Sequence, residues 1–249
     1  MQIVSSLSPL ALEHEGGTAV AMGYFDGIHI GHRAVIEGAV EWAKAHGAAP
    51  AVFTFKLPAD SKMKGRRLLS TEDKHALIAS LGVEYYLCPE FEEIRAMTPE
   101  QFVYGIVQDC HAKALFCGEN FTFGAKAAGT PELLKELCAP LGVEVVVVPM
   151  AQFEEKPVSS TRIRTALEGG DVPAANAMLG MPYAIRFAVQ HGAGWAARWA
   201  YPPSTRSTRR ASRCPATAST SPAPGSVIPG IPRPLVWGPG PLSIRTRPR

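Results

Sequence analysis

No stretch of this chain is apolar over the roughly 18 residues that a membrane-spanning helix needs, and no basic segment followed by an apolar one opens it. Both absences predict a cytoplasmic protein that does not enter a membrane. The five cysteines, Cys88, Cys110, Cys117, Cys138 and Cys214, include no C-x-x-C pair and leave one over, which speaks against a disulfide framework and against a zinc site. Charge is missing unevenly. Residues 188–249 contain no Asp, no Glu and no Lys, but nine Arg and eleven of the 22 Pro, for a formal +9, whereas residues 1–187 hold 16 basic and all 22 acidic side chains, for −6. The overall +3 is the sum of two unlike parts and is not a nucleic-acid signature.

With 46% hydrophobic residues over 249 positions, the chain can build a sizeable core. From residue 18 to about 180 short apolar runs alternate with helical patterns, which predicts an α/β fold with a parallel sheet flanked by helices. The predicted strands are Thr18–Met22, Ala51–Phe55, Glu84–Cys88, Ala114–Cys117 and the β-branched run 143–148, the last read as a buried strand. Helices are expected through Glu41 and Trp42 to His46, after the caps Ser70, Thr98-Pro99 and Thr130-Pro131, and over Thr161–Glu168 and Val172–Leu179. Residues 1–187 are expected to form one domain and 188–249 an irregular or disordered tail.

The densest cluster of chemistry is Gly23-Tyr24-Phe25-Asp26-Gly27-Ile28-His29-Ile30-Gly31-His32, directly after the first predicted strand. With Gly31 opening a helix, His29 and His32 fall on one face of its first turn, beside backbone N–H groups that have no intrahelical partner. Those amides and the positive end of the helix dipole attract phosphate, the glycines let a nucleotide approach the backbone, and the two His can donate to charge developing on a phosphoryl group. A lone His here reads as packing or a local cap; two His, three Gly and an Asp within ten residues read as a phosphate site.

Two further segments follow predicted strands, at whose carboxyl ends ligands bind in such sheets. Pro157-Val158-Ser159-Ser160-Thr161-Arg162-Ile163-Arg164 supplies three hydroxyls and two guanidiniums. Taken alone it is an N-cap with a basic helix face; beside the His motif it becomes the other side of a polyphosphate cradle. Gly118-Glu119-Asn120-Phe121-Thr122-Phe123-Gly124 reads, by itself, as a loop with an aromatic anchor.

Over residues 18 to about 187 these three motifs together resemble the FAD synthetase (FMN adenylyltransferase) module of the bacterial bifunctional riboflavin kinase/FAD synthetases, within the HxGH nucleotidyltransferases. The string His29-Ile30-Gly31-His32 is shared with class I aminoacyl-tRNA synthetases, and Lys62-Met63-Lys64-Gly65 faintly echoes their second motif. In those enzymes that motif lies far downstream and tRNA-binding domains accompany it, for which this chain has no room. Residues Lys62 to Arg67 read instead as a solvated basic loop.

The resemblance implies a Rossmann-like nucleotidyltransferase fold and the transfer of AMP from ATP to FMN, giving FAD and pyrophosphate, with Mg²⁺ accompanying the polyphosphate and no acidic cluster marking a protein ligand for it. It implies that His29 and His32 stabilise the α-phosphoryl group, and that Ser160, Thr161 and Arg164 hold the β and γ phosphates. Gly23, Tyr24, Phe25, Asp26, Gly27, Gly31, Ser159 and Arg162 would surround ATP, Asp26 ordering the glycine turn rather than acting as a base. Asn120, Phe121 and Phe123 are the flavin or adenine candidates, flavin foremost. Partners are then the small molecules ATP and FMN, with no specific nucleic acid and no membrane, and no oligomeric state follows. Two other readings fit the same residues: adenylyl transfer to a different phosphate acceptor, and a non-catalytic flavin- or nucleotide-binding remnant.

The chain departs from the family in two places. A riboflavin kinase domain with a Pro-Thr-x-Asn motif normally follows; none occurs here, and the composition after residue 187 is that of a GC-rich frame translated out of register, so kinase activity is expected to be absent. A genuine Arg/Pro-rich interaction tail is the competing reading. The family's His-Pro pair after Thr-Phe-x is also missing from Thr54-Phe55-Lys56-Leu57-Pro58, which predicts weaker substrate affinity.

Overall fold

The structure is a computed structural model and describes residues 1–5, 15–58 and 67–186, with the backbone of 189–190 and 205–206 as a short antiparallel pair. The expectations for a basic loop at 62–67, Arg67 apart, and for the tail at 188–249, those four backbone positions apart, lie outside the described residues.

The chain runs β1 (Gln2–Val4), β2 (Thr18–Met22), α1 (Ile30–His46), β3 (Ala49–Phe53), α2 (Thr71–Ser80), β4 (Tyr85–Leu87), α3 (Phe91–Ile94), α4 (Pro99–Asp109), β5 (Ala112–Gly118), α5 (Pro131–Cys138), β6 (Glu144–Val148), the hairpin β7 (Gln152–Phe153) and β8 (Lys156–Pro157), α6 (Ser160–Glu168) and α7 (Val172–Leu179). Strands one to six form a single parallel sheet in the order β1-β4-β3-β2-β5-β6. The strand order reverses direction between β2 and β5, which opens a crevice at their carboxyl ends.

Residues along β2 alternate between two cores, as the pleat requires. Ala19 and Ala21 face the apolar stripe Val35, Ile36, Ala39, Val40 and Ala43 of α1, while Val20 and Met22 face Phe102, Val103 and Ile106 of α4 and Leu134 of α5. A third cluster, Ile163, Leu167, Ala175, Met178 and Leu179, packs α6 on α7 and draws in Leu68 and Ile30. That last contact lays the α6–α7 pair against the start of α1.

The parallel α/β architecture and the caps follow the expectation, and several details differ. The run 143–148 is a parallel strand, but β6 lies at the sheet edge, and Val145 to Val148 are half-buried because one side of the strand has no neighbour. Strand β3 is shifted two residues toward the N-terminus of the predicted Ala51–Phe55, since Ala49 and Pro50 already pair with Thr18 and Ala19 of β2. Strand β1 and the β7–β8 hairpin were not foreseen. The hairpin turns through Glu154 (φ 52°) and Glu155 (φ 58°), left-handed residues where a turn signal would be Asn or Gly. Among the described residues no helix is long and apolar enough to cross a membrane.

Candidate active site

The chain leaves β2 at Met22 and reaches α1 through a loop folded back on itself. Phe25 (φ 53°), Gly27 (φ 88°) and Ile28 (φ 46°) all adopt left-handed backbone. For a β-branched residue such as Ile28 this is costly, about 1–3 kcal/mol, and it persists only when the surroundings impose it. Here they do: Phe25 and Ile28 are buried at 1% and 0% exposure, and a Cβ at Gly27 would stand 2.7 Å from Leu68 Cδ1.

This loop delivers His29 as the N-cap of α1, so the helix opens at Ile30 rather than at Gly31. Nδ1 of His29 accepts the backbone N–H of His32 at 3.3 Å. The two imidazoles stack, centroids 3.6 Å apart and planes 17° from parallel, and the Phe25 ring meets His32 edge-on at 5.3 Å. Because Nδ1 of His29 is an acceptor, the neutral ring carries its proton on Nε2 and can donate from there. Burial lowers the His29 pKa to about 4. Burial also pushes His32 well below its usual value, and the charges of His29 and Lys74 act in the same direction. Both imidazoles are therefore neutral at pH 7. The His29 cap satisfies the His32 amide and leaves those of Ile30 and Gly31 at the positive end of the helix without intrahelical partners.

Asp26 joins three separated parts of the chain. Its Oδ1 accepts the Leu68 N–H at 2.9 Å, its Oδ2 is paired with the Arg164 guanidinium, and its carbonyl accepts the Ser160 hydroxyl at 2.8 Å. Asp26 is buried and Arg164 half-buried. The His motif and the start of α6 are thus one assembly, as the pairing of the two segments anticipated. Ser159 caps α6 by accepting the Arg162 N–H at 3.2 Å, and Thr161 is exposed in its first turn. Arg162 points elsewhere: Nη1 donates to the carbonyls of Phe153, Lys156 and Pro157 at 2.9–3.1 Å, and the guanidinium lies over the Phe153 ring, so it fastens the β7–β8 hairpin to α6.

The segment 118–124 emerges from β5, next to β2. Asn120 is exposed and Phe121 half-buried. Phe123 is 5% exposed, packed against Phe102 and Phe121, and Gly129 backs onto its ring so closely that a Cβ there would approach to 2.6 Å. Among the described residues no three His, Cys, Asp or Glu side chains gather where they could hold a metal ion. A cleft of about 340 Å³ lined by Gly17, His111 and Lys113 lies at the amino ends of the strands, away from all three motifs.

Lys74 was not singled out by the sequence. It sits in the first turn of α2 and reaches under the His motif, donating to the Tyr24 carbonyl at 2.6 Å and to Thr54 Oγ1 at 3.3 Å. Its ammonium lies 5.2 Å from the centre of the Tyr24 ring and 6.0 Å from that of Tyr86. Burial lowers its pKa to about 8. One lysine on a polar helix carries no periodic or motif signal, so only the packing of α2 against the loop exposes it.

A family model described as FAD synthetase matches residues 11–162. A bifunctional riboflavin kinase/FMN adenylyltransferase of Bacillus subtilis (strain 168) is 35% identical over 191 residues, covering 74% of this chain and 60% of that protein. The protein of the same description from Escherichia coli (strain K12) is 30% identical over 77% of this chain and 63% of its own length. A protein described as FAD synthetase from Listeria monocytogenes serovar 1/2a is 28% identical over 70% of this chain and 72% of its own. The chain thus spans about 60% of the length of the bifunctional relatives. A solved structure titled macrolide-efflux protein from Streptococcus pneumoniae superposes with a TM-score of 0.75 at 26% identity, over 87% of this chain and 72% of that one. With the family model spanning most of the sheet, the whole His motif, the Gly118–Gly124 loop and the start of α6, the chain belongs to the FAD synthetase family.

Proposed function

We propose that residues 1–187 form an FMN adenylyltransferase that moves AMP from ATP to the phosphate of FMN, giving FAD and pyrophosphate. One observation carries this reading: two neutral, stacked imidazoles at the N-terminus of α1, bound through Asp26 to the N-terminus of α6. An FMN phosphate oxygen attacks the α-phosphorus, the bond from that phosphorus to the bridging oxygen breaks, and pyrophosphate leaves with the electron pair. Such a transfer asks the protein for position and for stabilisation of spread negative charge.

Each part has a role of that kind. With its pKa near 4, His29 is not a proton source at pH 7; it acts as a fixed N–H donor to the α-phosphoryl oxygens, with His32 beside it. The amides of Ile30 and Gly31 and the dipole of α1 add positive potential on the same side. Ser160, Thr161 and Arg164 face the β and γ phosphates from α6, and Asp26 orients the Arg164 fork. Gly23, Tyr24, Phe25 and Gly27 shape the turn against which ATP lies. Asn120 and Phe121 contact the flavin, and Phe123 supports Phe121 from the core. Mg²⁺ would enter with ATP and neutralise its phosphates; both oxygens of Asp26 are already engaged, and among the described residues no three His, Cys, Asp or Glu side chains gather to hold it. The enzyme works in the cytoplasm. Riboflavin kinase activity is absent, on the composition of residues 188–249, which supports a shifted reading frame over an interaction tail. Sequencing the gene across codons 188–195 checks the frame.

The test is an assay of the purified full chain with ATP, Mg²⁺ and either FMN or riboflavin, separating the flavins by chromatography. FAD forms from FMN, and riboflavin gives nothing. In His29→Ala the rate falls about a hundredfold or more, the loss typical of a donor aimed at transition-state charge. A folded His29→Ala protein with the native rate removes the assignment.

A further inference from the structure

The ammonium of Lys74 is an odd occupant of its place. Among the described residues it makes no ion pair; its acceptors are a main-chain carbonyl and a hydroxyl, and two aromatic rings flank it. Burying a charge without a carboxylate partner is expensive, and an apolar side chain would fill the same space at lower cost. The charge is therefore kept for what it touches. That is the carbonyl of Tyr24, the last residue before the chain turns left-handed at Phe25. Thr54 Oγ1 donates to the same carbonyl at 3.1 Å, so two donors from two elements hold one oxygen. The middle of the loop is held by Asp26 through Leu68, Ser160 and Arg164. A loop with two non-glycine residues in the left-handed region persists only when its surroundings impose it.

We propose that Lys74 is a positioning residue of this site: its ammonium pins the Tyr24 carbonyl so that the strained loop presents His29 and His32 in a single stacked pose. It acts through the loop, and for its kinetic consequence the proposal rests on the adenylyl-transfer reading above. The same charge acts on His32 through space, adding to burial and to His29 in disfavouring a proton on that ring. The groups around Lys74 are Asp26 and Arg67, of opposite effect on its proton, Cys88, the rings of Tyr24 and Tyr86, and the imidazoles of His32 and His75. Burial drives the Tyr86 hydroxyl far upward and raises Cys88 and Tyr24, away from pH 8. A transition near pH 8 felt by the histidine rings is then the loss of the Lys74 proton.

Two measurements on the full chain test this. The first needs no substrate: ¹⁵N-resolved spectra of the histidine rings between pH 6.5 and 9.5. The wild type shows a step in the His32 ring signals with a midpoint at about 8, absent in Lys74→Met. No such step in the wild type, or the same step in Lys74→Met, overturns the proposal, and the wild-type titration decides even if the variant does not fold. The second is the kinetics of FAD formation. Lys74→Met lowers kcat about tenfold or more while KM for ATP stays within about twofold, the pattern of lost alignment rather than lost binding. A folded variant with native kcat overturns the proposal. A wild type that makes no FAD refutes the adenylyl-transfer reading instead, and leaves the ring titration to decide the role of Lys74.

Discussion

His29 illustrates how one side chain is set by its surroundings. Its Nδ1 is committed to the His32 amide and the residue is 6% exposed, so the charged form is disfavoured in the folded protein and allowed in the unfolded chain. With a folded pKa of about 4 against about 6.5 unfolded, the unfolded state binds a proton between these values that the folded state does not. Stability must then fall as pH drops from 6.5 to 4, by up to about 3 kcal/mol, and this contribution must be flat above 6.5. Urea unfolding across pH 4–8 measures it; in His29→Phe that part of the slope disappears. The sequence showed that two imidazoles share one turn, since three-residue spacing is a local fact. The tautomer was not legible, because it depends on a hydrogen bond made only when the loop folds back. Lys74 was illegible for the same reason.

Elements divide by how local their causes are. The caps Ser70, Thr98, Thr130 and Ser159 each accept the N–H three residues on, within one turn of chain. Thr98 and Gln101 form the full reciprocal box, 3.3 Å and 2.9 Å, with Pro99 at the first helical position. Thr98→Ala should cost about 1 kcal/mol of stability, read as a lower urea midpoint with an unchanged slope, and leave FAD formation as in the wild type. Strand β1, three residues long, lacks enough length for a period to register, and it exists because β4 offers it an edge. The hairpin owes its turn to Arg162, whose guanidinium gathers three of its carbonyls. In β6 the β-branched run correctly signalled a strand but not its place, since composition does not distinguish a sheet centre from its edge.

Across the whole molecule, the Asp26–Arg164 pair bridges 138 residues and closes the site. Asp26→Asn removes a counter-charge of the half-buried Arg164 guanidinium, which costs about 1–3 kcal/mol. Arg164→Met alone is also destabilising, and the double variant recovers part of the loss, so a double-mutant cycle in urea must return a coupling of about 1–3 kcal/mol. Additive single effects would show that the pair does not join the segments. The amino-acid sequence by itself determined the alternation of strand and helix, the helix starts and the three segments that bear chemistry, because hydrophobic period, capping and glycine placement act over a few residues. Only the tertiary structure decided which of those side chains remain at the site. It turned Arg162 to the hairpin, buried Phe123 in the core and brought Lys74 beneath the loop. Lys74 meets Tyr24 across 50 positions, and even the contacts of Arg162, five to nine positions away, need the folded hairpin; that geometry exists only once the sheet has ordered β2 between β3 and β5 and α6 has closed against the start of α1.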